Sequence, residues 1–258
     1  MALKYPPTTG ARELAGTALY CYGVTSAEAA APQDRAGLGG EDVRPVESGG
    51  LAALTSAVPA GKVRARRADL LQHFDVLGSA FERGAVVPLR FGTVFEDEKA
   101  LVRELLETRH DELTRLLREL RDRVELRVTA HYREEAILAE IVRENRRVAR
   151  LREETVAGSA RPLLLELGEL VSAELQARTA RDTRAILERL RPLSLQEDVD
   201  AEPIEHQVLR ASFLVDRANV QSFDQAMEDL ASRQAGRIDF SYVGPLPPHS
   251  FVSLEGRR

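Results

Sequence analysis

The sequence has only one cysteine, Cys21, among its 258 residues, so no disulfide can form within the chain. Such sparse use of cysteine is typical of proteins that work in a reducing cytoplasm, which is the localisation we expect. Cys21 stands between two tyrosines in a predicted strand. A buried structural thiol is therefore its expected state.

Long apolar runs are also missing. No stretch approaches the roughly 18 consecutive apolar residues of a membrane-spanning helix, so we expect no membrane partner. The N-terminal residues lack the apolar core of a secretory signal, and none is expected. With 43% hydrophobic and 30% charged residues, the composition is that of a globular protein. A length of 258 residues suits one large or two small domains.

An excess of positive charge is absent as well. Lysine and arginine number 36 against 41 aspartates and glutamates, and nucleic-acid binders usually carry a basic excess. We therefore expect no nucleic-acid partner. The strongest basic feature lies at 143–152, where Arg143, Arg147 and Arg150 share a helical face. Nearby glutamates can pair with them, so an exposed ion-paired face is the first interpretation and a weak anion site the alternative.

Catalytic and cofactor motifs are not found. The sequence has no phosphate-binding loop ending in Lys-Ser/Thr and no GxSxG, and its five histidines are scattered. The glycine-rich segment at 37–40 precedes no clear helical pattern, which favours a plain loop. We expect no metal, no cofactor and no catalytic residue.

The first half of the chain alternates predicted strands and helices. Residues 1–17 are expected to form a flexible arm and 18–132 an N-terminal α+β domain. Residues 25–42 are predicted to be a loop. Predicted strands cover 17–24, 43–46, 51–58, 86–92 and 124–132, the last with Glu125 on its polar face. Predicted helices cover the stripe Leu70, Phe74, Leu77 and Phe81, which Gly84 ends, and residues 97–121.

The second half, 133–258, is expected to form a C-terminal domain. A helical hairpin spans 133–191, with helices at 133–156 and 162–191, and its polar middle at 176–185 is either solvent-exposed or a partner surface. A small α/β sheet region follows at 192–243, and a Pro-rich tail covers 244–258. The predicted fold class is α+β: two ferredoxin-like domains with mixed or antiparallel sheets and the long hairpin between them.

Two segments carry a more specific signal than composition. VVPLRFGTVF (86–95) follows the first helix, and ASFLVD (211–216) precedes a helix and then FSYVGPLPPHSFV (240–252). Together they resemble the gas vesicle GvpL/GvpF family, in which a PLRFGT-like segment follows the first helix and a GPLPP-like segment closes the chain. The resemblance extends from residue 17 to residue 252. His249 departs from the family pattern, in which tyrosine is more usual.

The resemblance implies a cytoplasmic, non-enzymatic assembly protein, associated with gas vesicles. Such a protein contacts the hydrophobic shell subunit GvpA and other gas vesicle accessory proteins. The candidate partner-binding residues come from the two motifs, and the tail either packs back across the domains or presents aromatic residues to a partner. These candidates are Arg90, Phe91, Gly92, Tyr242, Gly244, Pro245, Pro247, Pro248 and Phe251.

The motif residues also have plain structural interpretations. Arg90 ends an apolar strand, where it would pair with a carboxylate, and Gly92 suits a turn with positive φ. Pro88 predicts an edge strand or a bulge. Two other function classes stay open at this point. One is a ferredoxin-like enzyme or small-ligand sensor with a pocket at the domain junction; the other is nucleic-acid binding through 143–152.

Overall fold

The chain is a mixed α+β protein with two sheets, as the sequence predicts. The computed structural model describes residues 16–30, 33–60, 65–158, 161–200 and 206–252. The predicted arm lies almost wholly outside these residues. The strands are β1 (Thr17–Ser26), β2 (Gln33–Ala36), β3 (Asp42–Ser48), β4 (Leu51–Pro59), β5 (Val86–Pro88), β6 (Val94–Phe95), β7 (Arg123–Tyr132), β8 (Gln196–Val199), β9 (Gln207–Asp216) and β10 (Ile238–Leu246). The helices are α1 (Arg67–Arg83), α2 (Glu98–Leu101), α3 (His110–Glu119), α4 (Glu134–Glu144), α5 (Arg146–Ala157), α6 (Arg161–Leu190) and α7 (Val220–Arg233).

The chain divides into two compact units. The described residues before 124 form unit 1 together with 246–252, and the described residues of 124–245 form unit 2. The sequence assigned 124–132 to the N-terminal domain, and this assignment is wrong. β7 instead lies between β9 and β10 in the second sheet, whose order is β10-β7-β9-β8. A period-two pattern predicts a strand, but it carries no information about which sheet the strand joins.

The sheet of unit 1 has the strand order β2-β3-β4-β1-β5, with β6 also paired to β1. β3 and β4 form an antiparallel hairpin, and both Gly49 and Gly50 have the positive φ that its turn requires. β5 is shorter than predicted and lies at the edge, where Pro88 removes no ladder hydrogen bond. The predicted loop 25–42 is wrong in part, because it contains β2 and two short 3-10 helices.

The helices of unit 1 differ from the sequence pattern in two places. α1 buries His73, Val76, Leu77, Ala80 and Phe81. The predicted stripe fails at Phe74, which is half exposed because the buried face turns toward His73. The helix predicted over 97–121 is interrupted: α2 runs into a π-helical turn at Val102–Glu107, and α3 starts only at His110.

Within 133–191 the structure has three helices, α4, α5 and α6, where the sequence predicts two. Asn145 ends α4 and caps α5, since its side-chain oxygen accepts the N–H groups of Arg147 and Val148 at 3.0 and 3.1 Å. α6 packs on both shorter helices. None of the helices among the described residues has the length and apolarity to cross a membrane.

The second sheet also contains a buried charge that the sequence placed on a polar face. Glu125 of β7 is fully buried. Its carboxylate accepts a hydrogen bond from Ser212 Oγ of β9 at 2.9 Å and lies 2.7 Å from the guanidinium of Arg127. These partners offset the cost of burying the charge. The other predicted elements of this region, a strand in 206–216, a helix from Val220 and a strand at 237–244, correspond to β9, α7 and β10.

Candidate functional site

Unit 1 contains a group of ring side chains that we call the aromatic cluster. It comprises Tyr20 and Tyr22 of β1, His73 and Phe74 of α1, Phe91 of the loop after β5, and His249 of the C-terminal segment. Both sequence motifs therefore contribute to it: Phe91 belongs to the first motif and His249 to the second.

Tyr20 and His73 form the hydrogen-bonded centre of the aromatic cluster. Tyr20 Oη lies 2.8 Å from His73 Nδ1, and both side chains are buried. The backbone N–H of Gly92 donates to the same tyrosine oxygen at 3.2 Å. Tyr20 Oη and His73 Nδ1 share one hydrogen bond, and the tautomer of the imidazole decides which of the two atoms donates.

The ionisation of this pair follows from its burial. The pKa of His73 is lowered from 6.5 to about 4, chiefly by burial and in addition by the nearby His249, while a backbone hydrogen bond with Leu89 opposes the change. Burial also raises the pKa of Tyr20 well above 10. Both groups are uncharged at neutral pH, as a buried polar contact between a strand and a helix requires.

The first motif forms the loop that closes on this pair. Phe91 lies edge-on to the His73 ring at 5.6 Å and to the Tyr20 ring at 5.9 Å. Gly92 has φ of 91°, so the predicted turn with positive φ is confirmed. The carbonyl of Arg90 accepts hydrogen bonds from the N–H and the hydroxyl of Thr93, while the Arg90 side chain is exposed. Phe91 thus points into the unit and Arg90 out of it.

The end of the second motif packs into the same unit. Pro247 and Pro248 are buried, and the short 3-10 helix that follows carries His249 and the half-buried Phe251. The His249 ring meets the Phe74 ring edge-on at 5.2 Å. Phe91 of the first motif and the segment 246–252 of the second motif therefore both lie against α1.

Tyr22 extends the aromatic cluster to the loop at 37–40. Its hydroxyl accepts the N–H of Leu38 at 2.7 Å and shares a hydrogen bond of 2.7 Å with Ser56 Oγ. Gly37 is packed against these groups: a Cβ there would lie 2.5 Å from Tyr22 Oη and 2.8 Å from Ser56 Cβ. The glycine-rich segment thus covers Tyr22. The backbone comes so close to Tyr22 that only a residue without a side chain fits at position 37.

An exposed apolar strip lies on α1 beside the aromatic cluster. Leu71 is 60% exposed and Phe74 is 50% exposed, although both are large apolar side chains. Phe74 also contacts the ring of His73 edge-on at 5.5 Å. The ring of Phe74 is thus held by two imidazoles while much of its surface faces solvent.

The remaining candidates of the second motif lie in unit 2. Tyr242 of β10 stacks on Phe223 at 5.9 Å and donates to Asp224 at 2.6 Å; burial and that carboxylate raise its pKa. Gly244 approaches β7 closely, since a Cβ there would lie 2.6 Å from Leu126 Cδ2. Pro245 is exposed. Tyr242 and Gly244 therefore have packing roles within the unit.

Unit 2 also holds a set of paired charges that we call the charge network. It comprises Arg178, Arg237, Glu140, Glu144, Glu174 and Asp182. Arg178 of α6 is only 7% exposed and contacts Glu140 at 3.2 Å, Glu144 at 2.8 Å and also Glu174. Burial acts against its charge, but the hydrogen bonds that it donates to these carboxylates raise its pKa.

Arg237 forms the second half of the charge network. Its guanidinium donates to Glu140 at 2.6 Å and to Asp182 at 2.7 Å, and it lies over the Tyr132 ring at 5.3 Å. The hydrogen bond from Arg237 holds the pKa of Glu140 below its usual value against the effect of burial. Tyr132 donates to Asp182 at 2.5 Å, which with burial raises the tyrosine pKa. The network joins α4, α6 and the sheet.

The polar middle of α6 was predicted to be solvent-exposed or a partner surface, and this is wrong for Arg178 and Asp182. Both side chains are buried in the charge network. The sequence contained one signal for them: they stand four residues apart, on the helix face that continues to Ile186 and Leu190. His73 was missed as a site residue too, although it shares a face with Val76 and Leu77.

The arginine face at 143–152 is ion-paired. Arg143 lies 3.3 Å from Glu144, and Arg147 pairs with Glu166 of α6. Arg150 is exposed. Anion binding by these three arginines stays a prediction. Within the ranges that the structure describes, no three histidine, cysteine, aspartate or glutamate side chains are grouped so that they could hold a metal ion.

Comparison with known proteins gives a consistent result. Residues 18–253 match the family model "Gas vesicle synthesis protein GvpL/GvpF". The chain is 36% identical to gas vesicle protein F of Streptomyces sp. (strain CB03234), over 90% of this chain and 98% of the relative. It is 31% identical to gas vesicle protein L of the same strain, over 91% and 92%.

Solved structures agree in fold. The crystal structure of GvpF from Anabaena sp. PCC7120 superposes with a TM-score of 0.80 at 23% identity, covering 93% of this chain and 100% of that one. GvpF from Microcystis aeruginosa superposes with a TM-score of 0.74, at 20% identity and 92% and 99% coverage. With the sequence match over most of its length, the chain belongs to the GvpL/GvpF family of gas vesicle proteins.

Proposed function

We propose that this protein is a non-catalytic assembly factor that binds the hydrophobic shell subunit GvpA, in the manner of a chaperone or adaptor. Other gas vesicle proteins are its further partners. We place it in the cytoplasm and on gas vesicles. Membership in the family supports a role in gas vesicle formation, and the exposed strip on α1 supports direct contact with an apolar partner.

The physical need for such a contact comes from the shell. A subunit that will line a gas space has a large apolar surface before it assembles, and exposed apolar surface of that size drives aggregation. A protein that covers the surface reversibly lowers the aggregation rate without any covalent chemistry. Phe74 and Leu71 offer apolar area for this purpose, and Phe74 is already fixed by its ring neighbours.

The single observation that carries the proposal is the position of the two family motifs. Phe91 and His249 come from motifs about 150 residues apart in the chain, and their rings support the same helix, α1. The helix supported in this way keeps two large apolar side chains, Leu71 and Phe74, half or more exposed. Arg90 and Phe251, at the borders of this region, are further candidates for the contact.

We also propose that each unit is a ferredoxin-like variant and that α4, α5 and α6 act as one helical hairpin. The support is the antiparallel sheet of unit 1 and the packing of α6 on the two shorter helices. An enzyme or small-ligand sensor is the alternative function. It predicts a stoichiometric ligand in purified protein, which native mass spectrometry detects.

Co-purification tests the proposed function. The tagged full-length chain and the GvpA of the same organism are expressed together and separately, and soluble GvpA is measured after affinity capture. The proposal predicts that GvpA is captured with the chain and that its soluble fraction rises several-fold on co-expression. Capture of no GvpA, with GvpA equally insoluble in both cases, would overturn it.

A further inference from the structure

One face of α1 carries a strip of residues that are largely or partly exposed. We call it the α1 stripe: Arg67, Leu71, Phe74 and Gly78, spaced by four, three and four residues. Arg67 is exposed, and Leu71 and Phe74 are 60% and 50% exposed. A Cβ added at Gly78 would meet nothing within 4 Å. The stripe thus has a cationic end, an apolar centre and an open end.

The cationic end of the α1 stripe is available for a partner. Arg66 and Arg67 are both exposed, and neither forms an ion pair with a described residue. Two adjacent arginines that have no ion pair among the described residues, beside exposed Leu71 and Phe74, favour a ligand that presents a carboxylate next to an apolar surface. Opposite charge at the border of an apolar contact fixes its orientation and raises the association rate.

The apolar centre and the glycine define the shape of the ligand. Leu71 and Phe74 project side by side, and the missing side chain at Gly78 leaves room for a second backbone to approach. Phe74 is held by the rings of His73 and His249, so binding costs little side-chain entropy there. These features fit an apolar helix that lies along α1.

We infer that the α1 stripe is the docking site for an apolar helix of the shell subunit, with an aspartate or glutamate of that helix against Arg66 and Arg67. The inference rests on the proposed function and adds the contact face and the chemistry of the bound segment. Leu71 and Phe74 fill the apolar contact, and the arginines set the direction in which the helix lies.

Matched variants of the full-length chain test the inference. Leu71→Ser and Phe74→Ser remove the apolar centre at exposed positions, and Leu165→Ser is the control, because Leu165 of α6 is 62% exposed in the other unit. Binding to immobilised GvpA is measured for each variant. We expect each stripe variant to weaken binding by about tenfold or more and the control to stay within about twofold of the wild type.

The role of the arginine charge is tested by measuring the binding of Arg67→Glu to GvpA at several salt concentrations. The variant should weaken binding and flatten its dependence on ionic strength, because the attraction it removes is the part that salt screens. Circular dichroism checks that each variant is folded. If Phe74→Ser does not fold, the test uses Leu71→Ser and Phe74→Leu instead. Leu71→Ser should then weaken binding, and Phe74→Leu should retain most of it.

The two proposals fail in different ways. If the wild type binds GvpA and the stripe variants bind equally well, or Leu165→Ser weakens binding as much as they do, the α1 stripe is not the docking site and the proposed function stands. If the wild type binds no GvpA, both proposals are overturned.

Discussion

The hydroxyl of Tyr20 lies 2.8 Å from Nδ1 of His73, and this contact joins the central strand β1 to α1 inside unit 1. The N–H of Gly92 donates to the same hydroxyl, so the first family motif is tied to the pair by its backbone. The His73 ring in turn supports Phe74, on the exposed side of the helix. A buried polar contact thus positions an exposed apolar one.

The stability of the protein should depend on pH through His73. Its folded pKa of about 4 lies below the unfolded value of 6.5, so the unfolded chain binds more protons in between. Stability is therefore lost as the pH falls from about 6.5 to about 4, by on the order of 3 kcal/mol. Urea unfolding across this range, with hydrogen exchange of β1 and α1 peptides, measures the loss.

Two variants separate His73 from other titrating groups. His73→Phe should remove most of the slope between pH 6.5 and 4, because no buried imidazole is left to be protonated. His131→Gln, at an exposed histidine of β7, should keep the wild-type slope. An unchanged slope in His73→Phe would contradict the neutral buried imidazole.

Glycine substitutions test the packing of Tyr22. Gly37→Ala places a methyl 2.5 Å from Tyr22 Oη and 2.8 Å from Ser56 Cβ, and we expect a loss of about 1–3 kcal/mol in the free energy of unfolding. Gly168→Ala in α6 is the control: nothing lies within 4 Å of the added carbon, and helix propensity should raise stability by about 0.5–1 kcal/mol. Thermal melts that rank the two in the reverse order would refute the packing argument.

Removal of Arg178 should destabilise unit 2. Arg178→Met leaves Glu174 without its arginine and removes one of the two arginines that pair with Glu140, and we expect a loss of about 3 kcal/mol. Arg143→Met removes an exposed arginine paired only with its neighbour Glu144, and should change stability by less than about 0.5 kcal/mol. Chemical denaturation of both variants gives the comparison. Equal, small effects would mean that the charge network contributes little.

Separate measurements of stability and of GvpA binding distinguish a packing role of Tyr242 from a partner-binding role. Tyr242→Phe deletes the hydroxyl that donates to Asp224, and should cost about 1–2 kcal/mol of stability because the acceptor is charged. The stacking on Phe223 is retained, and we expect GvpA capture by the folded variant to equal that of the wild type. A stable variant with weakened capture would instead place Tyr242 in the interface.

Local patterns in the sequence predict much of the fold. The glycine pair at 49–50 sets the hairpin, the apolar spacing around Leu77 marks α1, and Pro88 indicates an edge strand, because each depends on neighbours in the chain. Gly92 was predicted for its turn on the same basis, and its φ is positive. These features need no knowledge of distant residues.

Features that depend on distant partners could not be predicted. Glu125 looks like the polar side of a half-buried strand until Ser212, 87 residues away in sequence, satisfies its carboxylate. The membership of β7 in the second sheet and the burial of Arg178 arise from long-range pairing in the same way. The spacing of Phe74 fits the apolar stripe of α1 and predicts that it is buried. His73 is buried instead, because it forms a hydrogen bond with Tyr20.

Light scattering gives the most direct measurement of the central claim, that the protein shields the apolar surface of the shell subunit. Denatured GvpA is diluted into buffer with increasing amounts of the purified chain, and turbidity is followed. We expect turbidity to fall with rising chain concentration and to reach a plateau at a fixed ratio of the chain to GvpA. Turbidity that stays unchanged at a large excess of folded chain would contradict it.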